Sequence, residues 1–129
     1  YFMNFIDAVK SYFVKWNDFK TRSSRSEYWW ATLFSTLASI VSQLVNAAIA
    51  SNPSALTLTI AILILILLIF MFIASLALVV RRLHDLDKSG WWYLLIFTII
   101  GIIPLIIWYC SKGTEGQNRF GEDPLSKRF

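Results

Sequence analysis

The amino-acid sequence predicts an all-α membrane protein: an amphipathic N-terminal helix, then three hydrophobic helices, the third kinked or re-entrant at Gly101-Ile102-Ile103-Pro104. Three observations predict it. Apolar residues make up 57% of the 129 and charged ones 16%, against about 45–50% and about 25% in soluble domains. Segments 28–50, 55–80 and 91–110 carry no charge, and each reaches the roughly 20 residues a helix needs to cross about 30 Å of hydrocarbon. The ionisable side chains gather between and beside these runs. The pattern indicates one membrane domain over 1–129: an interfacial segment 1–27, spans at 28–50, 55–80 and 91–110, a charged cytoplasmic cassette at 81–90 and a polar tail at 111–129.

In the interfacial segment Phe2, Phe5, Ile6, Val9, Tyr12, Phe13 and Trp16 recur at steps of three and four, the spacing of an amphipathic helix. Two settings suit it: the headgroup layer, or the protein's own cytoplasmic loops. Tyr1 and Phe2 ahead of Met3 suggest that translation starts at Met3 or that the chain is a fragment. Ser24-Arg25-Ser26-Glu27 then reads as a capping box, with the Glu27 carboxylate reaching back to the backbone of Ser24.

The first span carries a polar stripe that includes Ser39, Gln43 and Asn46. Facing lipid it is costly, so it should meet a helix or water. Asn52 and Pro53 suit the N-cap and first position of the second span. That helix should run into the cassette and stop at Gly90, with Lys88 in its last turn. In the third segment Pro104 lacks an N–H and, with Gly101, predicts a kink at least.

Topology follows from the cations: five Lys and Arg in residues 1–27, none in 51–54, three in 81–90 and four in 111–129. Cationic loops stay cytoplasmic, which puts the N-terminus and the cassette inside. Three full spans strand the tail outside. A re-entrant third segment brings all twelve cations inside, but ten residues per limb reach only about 15 Å. Three spans are the expectation.

On a helix Arg81, His84, Asp85 and Lys88 share one face, with Arg81 and Asp85 spaced to pair. His84 and Asp85 are adjacent and cannot form a dyad. This face is a cationic cleft at phosphate depth, suited to lipid phosphates, to carboxylates or to a soluble anion. One cysteine, Cys110, and one histidine argue against a metal site. Gly113, Gly116 and Gly121 lack the spacing of a nucleotide fingerprint. No cofactor and no nucleic-acid partner is implied, and no catalytic residue is assigned.

Three motifs, Arg22-x-x-Arg25-Ser26-Glu27-Tyr28-Trp29-Trp30, Arg81-Arg82-Leu83-His84-Asp85 with Lys88-Ser89-Gly90-Trp91-Trp92, and Gly113-Thr114-x-Gly116-x-Asn118-Arg119-Phe120-Gly121-x-Asp123-Pro124, together resemble a bacterial inner-membrane family, the domain of unknown function 805 (DUF805). The resemblance covers nearly the whole chain. It implies a small multi-pass inner-membrane protein with a cytoplasmic N-terminus, and brings no established activity or cofactor. Ser23 departs from the family pattern, which has glycine there. If the third segment turns back, Arg25, Glu27, Arg81, His84, Asp85, Lys88, Asn118, Arg119 and Asp123 form one interfacial cluster.

The first functional expectation is a non-enzymatic membrane protein whose charged cluster binds anionic lipid headgroups or a partner protein, itself or another membrane protein. One alternative is a small transport or channel subunit using the stripe. Another is a membrane enzyme acting on a phosphorylated lipid, with His84 carrying protons and Arg81 and Arg119 clamping phosphate.

Overall fold

A computed structural model describes residues 3–125. Phe2 of the amphipathic repeat and the tail cations Lys127 and Arg128 lie outside the described residues. Among residues 3–125 the regular elements are all helical: α1 (Phe5–Val14), α2 (Arg25–Ala50), α3 (Ala55–Asp85), a 3₁₀ limb (Gly90–Phe97) and α4 (Ile99–Cys110). α2 and α3 are the two helices long and apolar enough to cross a membrane.

α1 starts where the Asn4 side chain accepts from the N–H of Asp7. It packs across α2 and α3: Phe13 lies edge-on to Phe34 and stacks on Phe70 at 6.2 Å, and the buried Tyr12 hydroxyl donates to the carbonyl of Met71 at 2.8 Å. The helix rests on α2 and α3 and not on the cytoplasmic loops, with Ile6 and Val14 left exposed.

Several boundaries differ from the sequence reading. Ser24 caps α2 by accepting from the N–H of Glu27, but the Glu27 carboxylate turns inward to Ser11 and Arg81 instead of closing the box. α3 is capped by Ser54, with Thr57 completing a reciprocal box; Asn52 and Pro53 stay in the turn because Ser54 and Thr57 satisfy two orphan N–H groups together. α3 ends at Asp85, five residues before Gly90. Asp87 takes the left-handed conformation (φ 57°), and the N–H groups of Asp87 and Lys88 bond to the carbonyls of His84 and Leu83. This is a Schellman ending with aspartate in place of glycine, since its short polar side chain tolerates that region. Lys88 therefore lies beyond the helix, over the Trp108 ring at 4.5 Å.

The largest correction concerns the third hydrophobic segment. It is broken into two short helical limbs and is not one continuous helix. The 3₁₀ limb leaves the cassette, the chain reverses at Thr98, and α4 returns to the same end of the molecule, where Trp92 meets Trp108 at 5.7 Å and Arg82 bonds the carbonyls of Tyr109 and Ser111. The reversal falls three residues before Gly101. Thr98 ends the first limb and caps the second, its hydroxyl accepting from the N–H of Gly101. A side chain at Gly101 would collide with the Leu95 carbonyl and Thr98 hydroxyl, so this glycine lets the limbs close. Pro104 sits inside α4. Eight residues of 3₁₀ helix reach about 16 Å and twelve of α helix about 18 Å, close to half a hydrocarbon core.

Candidate functional site

The return of α4 brings the tail to the cassette, and three arginines organise the junction. Arg22, Arg81 and Arg82 are all at least 97% buried. Arg82 Nη1 pairs with Asp85 Oδ2 at 2.7 Å, while Nε and Nη2 donate to Tyr109, Trp108 and Ser111 carbonyls. These are the orphan acceptors ending α4, where a cation also opposes the helix dipole. Arg81 does the same for α1: its Nη1 donates to the carbonyls of Lys15 (2.7 Å) and Asp18 (3.0 Å), while Nη2 faces Glu27 Oε1 at 3.7 Å. Arg22 holds the tail. Its Nε donates to Asp85 Oδ1 at 3.1 Å, and its terminal nitrogens reach the carbonyls of Thr114, Gly116 and Gly121.

Asp85 thus pairs with Arg22 and Arg82. The expected Arg81–Asp85 pair does not form. Spacings of three and four are both allowed on a helix, and Arg81 is drawn to Glu27 and α1 while Arg82 faces α4. Thr114 donates its N–H to the Asp85 carbonyl at 2.7 Å. Gly113 lies against the Asp85 carboxylate so closely that a Cβ there would collide with it. Arg81 Nε and Nη2 and the hydroxyls of Ser23 and Tyr109 are buried with no hydrogen-bond partner.

The remaining candidates divide between interior and rim. His84 is buried: its Nδ1 lies 3.1 Å from the Thr21 carbonyl, and its ring stacks on Phe120 at 3.8 Å and 4°. Asn118 donates to the His84 carbonyl, and Asp123 accepts from the N–H of Gly116. Both shape the tail turn, where Asn118 and Gly121 exchange backbone bonds and Gly121 takes φ +127°. Arg25, Lys88 and Arg119 form the rim. Arg25 donates to the Cys110 carbonyl at 3.2 Å and Lys88 covers Trp108, so both reach the last turn of α4. Arg119 pairs with Asp87 Oδ1 at 3.2 Å, next to Lys88, and lies over Phe120. Arg81 and Arg119 thus face different neighbours and do not converge on one ligand position.

Arg22 and Arg82 are the two central residues that the sequence reading passed over as site members. The motifs contained both, but a lone arginine in a polar linker looks like any solvated cation. Beside Arg22 lies a cavity of about 410 Å³ lined by two cations, Lys15 and Arg22, and four carboxylates, Asp18, Glu27, Glu122 and Asp123. Burial pushes the Asp18 carboxyl up, yet it ends below its ordinary value of 3.8 because the Thr21 hydroxyl, the N–H groups of Lys20 and Thr21 and the nearby Arg81 guanidinium all favour the charged form.

The polar stripe is split. Ser39 and Gln43, with Ser35 and Thr36, line a cleft of about 420 Å³ between α2 and α3, across from Met71 and Ser75. Asn46 lines a separate hollow at the interhelical turn. Gln43 donates weakly to Ser39 within its own helix, at 3.4 Å. Among the described residues no group of three or more His, Cys, Asp or Glu is placed to hold a metal ion.

A helical fold with two long, largely apolar helices and an arginine-braced cluster at one end belongs to the class of small all-α membrane proteins. Residues 16–122 match the family described as "Protein of unknown function (DUF805)", and the chain belongs to that family. Among curated relatives it is 34% identical over 121 residues to "Inner membrane protein YhaI" of Escherichia coli (strain K12), covering 93% of each chain. It is 34% identical over 111 residues to "Inner membrane protein YhaH" of the same strain, covering 82% of this chain and 86% of the relative. No solved structure matches.

Proposed function

We propose that this chain is a non-enzymatic inner-membrane protein that crosses the bilayer twice, keeps its N-terminus and tail in the cytoplasm, and binds anionic lipid headgroups with Arg25, Lys88 and Arg119. The observation that carries the reading is the division of labour among cations. Arg22, Arg81 and Arg82 face inward onto protein carbonyls and carboxylates. The cavity beside them has twice as many carboxylates as cations and would repel phosphate. Arg25 and Lys88 stand at the last turn of α4, where the apolar helices end, and Arg119 pairs with Asp87 next to Lys88. There each cation near an anionic leaflet contributes about 1 kcal/mol. The two-span topology also puts every cation outside the short 51–54 turn on one side, as the positive-inside rule requires. The test is lipid co-purification. Replacing Arg25, Lys88 and Arg119 together by Ala should strip anionic phospholipid from the detergent-extracted protein while leaving the buried cluster intact. Unchanged lipid retention contradicts the reading.

A second reading, a small transport subunit, draws on the cleft at Ser39 and Gln43. It requires water there. A cysteine at position 43, in a chain with Cys110→Ser, should then react with a small polar thiol reagent in intact membranes. No reaction excludes it.

A further inference from the structure

The molecule has unequal width. Near the cassette α2 and α3 are accompanied by three more rods: α1, packed at the level of Phe34 and Phe70, and the two limbs of the 90–110 hairpin. Beyond that level only α2 and α3 continue. Their outward side chains are about half or more exposed along that stretch, including Leu37, Val41 and Leu44 on α2 and Leu56, Leu63 and Ile66 on α3. The hairpin limbs, about 16 and 18 Å long, reach roughly the bilayer centre and no further. Their apex, Phe97, Ile99 and Ile100, is 82–89% exposed, and these side chains need hydrocarbon around them. The other end of α4 is held beside the cassette by Arg82, Arg25 and Lys88, and the 3₁₀ limb starts from the cassette itself at Gly90.

All three extra rods therefore lie in one leaflet. A helix is about 10 Å across. Two rods standing upright and one ten-residue helix lying flat add on the order of 300 Å² to that leaflet and nothing to the other. A flat bilayer has equal leaflet areas and must stretch or crowd lipids to accept such a shape. A bilayer bent so that the wider leaflet is convex accepts it with less distortion, which is the physics that makes one-sided amphipathic insertions curvature-sensitive.

We propose that the protein senses membrane curvature, with the 90–110 hairpin and α1 acting as a one-leaflet wedge that favours membrane convex toward the side of its termini. The proposal rests on the two-span topology given above. It concerns the shape of the bilayer, not its charge, so it holds for neutral lipid as well.

The experiment reconstitutes the full chain, carrying a tag at each end, into neutral-lipid vesicles of mixed size, and scores each tag as outward or inward by protease access. Outward-facing molecules should be roughly threefold denser per lipid area in the smallest vesicles than in the largest, about 0.6 kcal/mol of preference, and inward-facing ones should show the reverse. Replacing Phe97, Ile99 and Ile100 together by Ser removes apolar apex side chains that are 82–89% exposed. That variant should fold, withdraw its apex from the hydrocarbon and lose most of the size preference. Both tags on the same side with equal density in all vesicles overturns the curvature proposal and leaves the two-span topology standing. Tags on opposite sides overturn both.

Discussion

The two ends of the α2–α3 pair are held by different forces. At the cassette end Arg22, Arg81, Arg82, Glu27 and Asp85 are almost wholly buried, and each arginine donates to backbone carbonyls, with Arg22 and Arg82 also bonding the Asp85 carboxylate. At the far end the outward faces of α2 and α3 carry bare leucine, isoleucine and valine, and the turn between them is closed by the Ser54–Thr57 box. In lipid, apolar side chains need no protein partner, because the solvent is as apolar as they are. Backbone and charged groups have no such freedom. The cassette end must therefore be built from specific contacts, whereas the far end needs only helicity and hydrophobicity. Sensitivity to substitution should follow the same division.

The largest effect should come from Asp85→Ala. It leaves Arg22 and Arg82 buried without their shared carboxylate, a loss of about 3–5 kcal/mol. Thermal unfolding in detergent should fall accordingly, and the 113–121 turn should become open to protease. A paired truncation sharpens the contrast. Leu83→Ala, at a fully buried position, should cost about 2–5 kcal/mol, whereas Leu63→Ala, on the exposed far half, should stay within about 0.5 kcal/mol. Equal losses in the same unfolding assay would erase the distinction. Gly113→Ala comes next. Its methyl must displace the Asp85 carboxylate, an overpacking of about 1–3 kcal/mol, and faster amide exchange at Thr114 should report the loosened tail.

The smallest effect is a pH dependence at the 15–21 turn. The folded-state value of Asp18 lies below its ordinary one, so its contribution is complete above the ordinary carboxylate range and is lost as pH falls through the folded value. Exchange at the Thr21 amide should rise in that acid window, and Asp18→Asn should abolish the dependence.

Much of this was legible in the residues. Uncharged length located α2 and α3, the Ser24 cap set the start of α2, and the three polar motifs named most of the cluster. Partner choice was not legible. Arg81 and Arg82 are neighbours on one helix, and only the positions of α1, Glu27 and α4 decide which of them meets Asp85. The end of α3 was misplaced because glycine is the usual left-handed residue and Asp87 does that work here. The hairpin had one clear signal, the four tail cations left on the wrong side by a third span. Twenty apolar residues pointed the other way because length alone cannot reveal the reversal at Thr98 or the close limb packing that Gly101 permits.

The claim on which the rest depends is that residues 90–110 turn back, so that the tail and the cassette share one side of the membrane. A reporter active only in the cytoplasm, fused after Phe129 and compared with the same reporter at the N-terminus, tests it most directly. Activity at both positions is the predicted result. Activity at the N-terminus with none after Phe129 would mean that the third segment crosses the bilayer, and would contradict the account.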